Sequence, residues 1–191
     1  MIIPRLCSIQ SKIKEHKIFN QFKGTKNSFA SYWHSYGGWK AFFSSPYFYF
    51  ALIVSALIYE SNTGNYQFFS AWTQHMMSAL PGMLGLTIAA FSIFLAVGDD
   101  NFKKIIRGPD EDGKPSPMMT AVSSFTHFAM IQAFALLSVV IFSFCRWESE
   151  AGKFFVIFIY VYALSLVVAT IFAIYTIADT YDETAKYEDD S

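Results

Sequence analysis

Four stretches of this chain, 46–59, 80–97, 120–145 and 154–178, contain no Asp, Glu, Lys or Arg, and most of their positions are large and apolar. The runs are continuous rather than alternating. They read as helices that are apolar all round, not as barrel strands, which need an inward polar residue at every second position. A helix crosses the hydrocarbon core with roughly 20 apolar residues. The last three runs reach or approach that length, and the first does so once 41–45 are added. Tyr47, Phe48, Tyr49, Phe50 and Tyr59 give that first run the look of an interfacial aromatic belt. The pattern predicts an all-α, polytopic membrane protein with four transmembrane helices, over about 41–60, 78–97, 120–145 and 154–178. A basic arm at the cytoplasmic interface (1–40) precedes this domain of residues 41–178, and an acidic cytoplasmic tail (179–191) follows it.

Lys and Arg resist translocation, so their distribution sets the orientation. Arg5, Lys12, Lys14, Lys17, Lys23, Lys26 and Lys40 precede the first span, whereas 60–77 has none. Lys103, Lys104, Arg107 and Lys114 separate the second and third runs. Only Arg146 and Lys153, offset by Glu148 and Glu150, separate the third and fourth. The bias alternates with each crossing and predicts both termini in the cytoplasm. Residues 1–27 lack a sustained apolar core, so the first span is expected to act as its own insertion signal. Beyond the membrane on the other side, Tyr66, Phe68, Phe69, Trp72 and Met76 fall near helical spacing. They predict either a helix on the outer leaflet or an extension of the second span bent at Pro81-Gly82.

Composition agrees with this reading: 53% of residues are hydrophobic, 19% aromatic and only 15% charged, against about a quarter charged in soluble domains. Cys7 and Cys145 fall on opposite sides of the predicted membrane, so no intrachain disulfide is expected.

The second run carries a row of small residues, Ser78, Gly82, Gly85, Ala89, Ser92 and Ala96, at alternating spacings of four and three. Small residues let helix backbones approach closely in lipid, where apolar burial offers no contrast with the acyl chains. Gly82, Gly85, Ala89, Ser92 and Ala96 are therefore the candidate packing face. The row suits a contact with the fourth span, where Ser165, Ala169, Ala173 and Thr176 repeat a similar spacing. It also suits a homo-oligomer, with a tetramer as one option; the lining of a pore is the less favoured reading, because small, weakly polar rows are commoner as packing faces.

Candidate chemistry is sparse. His127 is the one ionisable group within the runs, and it reads as a neutral hydrogen-bonder between helices rather than as a proton relay, with Gln132 about a turn further along the same helix. The histidines and cysteines are scattered without metal-ligand spacing, and no phosphate loop or catalytic triad is present. No enzyme, cofactor or metal is expected. On the cytoplasmic side, Asp99, Asp100, Lys103, Lys104 and Arg107 could pair along a short helical turn. The basic, aromatic arm suits anionic lipid headgroups, and no direct nucleic-acid binding is expected.

The run from Leu80 to Asp99, leading into Phe102-Lys103, resembles a segment of the membrane subunit of the bacterial Kiwa anti-phage defence system. The resemblance implies a non-enzymatic component of the bacterial inner membrane that self-associates and senses phage at the envelope. It also implies a cytosolic partner subunit that acts on phage DNA, and it makes the cytoplasmic loop with Asp99, Asp100, Lys103, Lys104 and Arg107 the expected docking surface for that partner. The alternative left open by the residues is an oligomeric pore that conducts ions or depolarises the membrane.

Overall fold

A computed structural model describes residues 27–62, 66–96, 102, 106, 115–145 and 149–189, and the main elements among them are helices. They are α1 (27–36), α2 (Gly38–Ser44), α3 (Pro46–Ser61), α4 (Tyr66–Ala96), α5 (Pro117–Cys145) and α6 (Glu150–Asp189). Among the described residues three helices are long and apolar enough to cross a membrane, within α4, α5 and α6, or four crossings if the bent pair α2–α3 counts as one. The chain is thus a multi-pass membrane protein.

The first predicted span, 41–60, is not one straight helix. It breaks at Ser45-Pro46 with a bend of 51°. Pro46 is well placed at the first position of α3, but its ring pushes Ser45 out of the helical region, to φ −70° and ψ 123°. At about 1.5 Å per residue, the 16 residues of α3 span about 24 Å, short of the roughly 30 Å hydrocarbon core. Gly37 and Gly38, between α1 and α2, both have positive φ, 99° and 63°. A Cβ at Gly37 would also lie 3.0 Å from that of Ala41. Gly37→Ala is expected to cost about 1–2 kcal/mol through the left-handed backbone alone, read as a lowered midpoint in thermal unfolding of the detergent-solubilised protein.

The aromatic segment predicted on the outer side is the first part of α4, continuous with the second span through Pro81. It is an extension of that span and not a separate surface helix. A membrane bundle tolerates the proline because neighbouring groups can satisfy the carbonyl that it leaves free. α5 begins with Ser116 accepting a hydrogen bond from the Met119 N–H at 3.3 Å, ahead of Pro117 in the first helical position. α6 has 40 residues and continues as helix to Asp189. The predicted acidic tail therefore begins as the last turns of this helix rather than as a detached end.

The core gathers around α6, which packs against α3, α4 and α5, while α4 also packs along α5. Ile157, Tyr162, Ala163, Ser165 and Leu166 are all buried, so the middle of α6 is enclosed on most sides. α5 runs antiparallel to it, with His127 beside Tyr162 and Phe134 beside Phe155. α3 is antiparallel as well, with Phe48 against Phe158 and Tyr59 against Phe154. At the Glu150 end, three helices are tied by polar groups. Tyr59 donates to Glu150 Oε2 at 2.8 Å, and Lys153 pairs with Glu150 at 2.7 Å. The Lys153 ammonium also lies over the Phe69 ring of α4.

Candidate functional site

His127 sits on the inner face of α5 with only 2% of its surface exposed, and it is the centre of a cluster of phenols. Its Nδ1 is 2.7 Å from the Tyr32 hydroxyl of α1, and its Nε2 is 3.3 Å from the Tyr162 hydroxyl of α6. The Tyr36 ring stacks on the imidazole with centroids 4.0 Å apart, and Phe42 meets it edge-on. Tyr36 is a further hydrogen-bond partner of Tyr162. One imidazole thus joins three helices, with a hydroxyl at each ring nitrogen.

This geometry adds a contact with the bundle to the arm. Tyr32 and Tyr36, one turn apart on α1, point into the bundle, while Phe29, Trp39 and Phe43 remain exposed. The signal for this was the spacing of Tyr32 and Tyr36 with the small Ser35 beside them, a narrow face that fits against another helix. Residues 1–26 of the arm, including Cys7, lie outside the described residues.

Gln132 lies five residues beyond His127 and is fully buried, and neither its amide oxygen nor its amide nitrogen has a hydrogen-bond partner. Ser55 Oγ, Thr87 Oγ1 and Trp72 Nε1 are buried and unpartnered too. Many other helical hydroxyls bond to a carbonyl one turn back, as Thr126 does to Val122 and Thr170 to Leu166. At the Tyr32 side of the cluster, an open pocket of about 400 Å³ is lined by Asn27, Ser31, Tyr32, Ser123 and Thr126, among others. A second cavity of about 440 Å³ lies at the same end of the bundle, between the last turns of α4, the first turns of α5 and the later part of α6, with Phe94, Phe102, Met118 and Ile177 among its walls.

The small-residue row of α4 is placed on the outside. Ser78, Gly82, Gly85, Ala89, Ser92 and Ala96 are all exposed, and a Cβ added at Gly82 or Gly85 would meet nothing within 4 Å. The inner face of α4 is instead Phe69, Met76, Leu80, Thr87, Ala90 and Phe94. The expected contact of the row with the fourth span is therefore overturned: large side chains of α4 fill the space toward its neighbours, and the small ones look outward. Of the expected docking surface, Asp99, Asp100, Lys103, Lys104 and Arg107 lie outside the described residues. Phe102, between them, is buried and meets Tyr181 of α6 edge-on at 5.1 Å.

The cluster can exchange protons and hydrogen bonds, since phenol and imidazole each both donate and accept. Among the described residues no group of three His, Cys, Asp or Glu could hold a metal ion. Searches against protein-family models, curated proteins and solved structures return no match.

Proposed function

We propose that this protein is a non-enzymatic membrane subunit that works by assembling with copies of itself, a scaffold or sensor embedded in the bacterial inner membrane. The observation that carries the reading is the outward face of α4, where six small residues form one exposed row and the helix's own bundle contacts lie on its other side. In lipid a row of this kind has little to gain from acyl chains and much from a second backbone. Counting α2–α3 as one crossing makes four spans. With the Lys and Arg distribution, both ends of the chain are then cytoplasmic.

The resemblance of the 80–103 segment to the Kiwa membrane subunit carries the narrower reading, a role in anti-phage defence with a cytosolic partner docked near 99–107. That partner, rather than this chain, would contact nucleic acid. The test is assembly. Gly85→Leu and Ala89→Leu are each expected to reduce the particle mass of the purified protein, measured by light scattering in detergent, while leaving helicity unchanged. An unaltered mass for both variants overturns the proposal. Isolation of the intact protein from its native membrane, followed by identification of co-purifying proteins, tests the cytosolic partner.

A further inference from the structure

The cavity between α4, α5 and α6, of about 440 Å³, has the size of a small-molecule site, for which roughly 300–1,000 Å³ is usual. Because α4 ends at Ala96 and α5 begins at Pro117, it lies where the spans leave the hydrocarbon layer. Phe94, Met118 and Ile177 give it apolar walls from three helices, and Phe102, buried against Tyr181, adds one from between α4 and α5. Thr120, Thr176 and Thr180 line it and are exposed, so it opens on the outer surface of the bundle. An apolar wall that touches nothing forfeits its dispersion contacts. At this level of a membrane protein, the filler at hand is the acyl chain of a lipid.

The polar part of the wall is of one kind. Thr120 and Ser124 stand one turn apart on α5, Thr176 and Thr180 one turn apart on α6, and all four line the cavity. Each spends its proton on a main-chain carbonyl of its own helix. Thr120 donates to the Ser116 oxygen at 3.2 Å and Ser124 to that of Thr120 at 2.9 Å, while Thr176 donates to the Phe172 oxygen at 3.0 Å and Thr180 to that of Thr176 at 2.8 Å. A hydroxyl has one proton and two lone pairs, so what these groups offer an occupant is acceptors. The occupant must bring the donors. Asp179 and Asp182, exposed on the same turns of α6 as Thr180, favour a positive head over a negative one at this level.

We propose that this cavity binds a phospholipid with a primary-amine head, of the phosphatidylethanolamine class, its acyl chain along the apolar walls and its ammonium on the threonine and serine oxygens. An ammonium brings three N–H donors together with the positive charge. The trimethylammonium of a choline head keeps the charge but has no N–H. A glycerol head has hydroxyl donors, but its lipid is anionic. Lipids that share their acyl chains therefore report on the head alone.

The site does not use the exposed row of α4, so its test is separate from that of assembly. The full-length protein, purified in detergent and stripped of lipid, is mixed with dioleoyl phosphatidylethanolamine, phosphatidylcholine or phosphatidylglycerol, and retained lipid is counted by native mass spectrometry. Wild type is expected to retain the ethanolamine lipid about tenfold more than the choline lipid, the discrimination that a charge-assisted hydrogen bond supplies. The double variant Thr176→Val, Thr180→Val, which keeps the shape and removes two acceptors, is expected to retain both lipids at the choline level. Ala121→Phe, which places a ring in the cavity, is expected to lower retention of both. Helicity and particle mass, measured on the same preparations, show whether fold and assembly are intact. Equal retention of the ethanolamine and choline lipids by wild type overturns the proposal, as does discrimination that survives in the double variant. Preference for phosphatidylglycerol also overturns it, since an anionic head would then be the one recognised.

Discussion

Tyr162→Ala is expected to cost about 3–5 kcal/mol, the range for removing a large aromatic side chain from a packed core, and to release α1 from the bundle. Tyr162 is 1% exposed and among the largest fully buried side chains. Its ring meets Phe42, Phe48 and Phe158, so it joins α2 and α3 to α6, and its hydroxyl reaches His127 on α5. Truncation leaves a cavity where these helices meet and strips His127 Nε2 of its partner. Tyr162→Phe separates the two effects: the ring contacts remain and the hydroxyl's hydrogen bonds to His127 and Tyr36 are lost, for about 1–3 kcal/mol. Equilibrium unfolding in detergent gives the stabilities, and hydrogen exchange at 27–36 reports the docking of α1. Equal stabilities for Tyr162→Ala and Tyr162→Phe would mean that the ring contacts contribute nothing.

Much of this arrangement was legible in the chain, and the misses share a cause. The charge-free runs from 80, 120 and 154 mark the helices that became α4, α5 and α6, because burial on every side requires an unbroken apolar sequence. The break at Pro46 was present in the letters, but the length needed to cross a membrane argued for joining 41–45 to the run. The inward turn of Tyr32 and Tyr36 was hidden by composition, since aromatics that sit among headgroups and aromatics that dock on a histidine are the same residue types. Past Ala178 the sequence reads as a tail although α6 continues, because charge ends a span without ending a helix. His127 and Gln132 could be nominated as polar groups in an apolar setting, yet which phenols would reach the imidazole depends on contacts as distant as 95 residues along the chain.

The same ambiguity governs α4, where both faces repeat at intervals of three and four and pattern alone cannot say which one turns inward. Leu80→Ala decides it by stability. Leu80 is fully buried beside Met76 in the main core, and its truncation is expected to cost about 2–5 kcal/mol. Leu86 is half exposed on the outer surface of the same helix. Within one chain its side chain exchanges lipid or detergent contacts for similar ones, so Leu86→Ala is expected to change stability by no more than about 0.5 kcal/mol. Thermal and denaturant unfolding at protein dilutions that favour single chains measure both. If Leu86→Ala is near neutral in dilute detergent but destabilises the concentrated protein, a second copy covers the outer face only on assembly. Losses reversed between the two variants, with Leu80→Ala the milder, would place the small-residue row inside the bundle and remove the basis for self-association through α4.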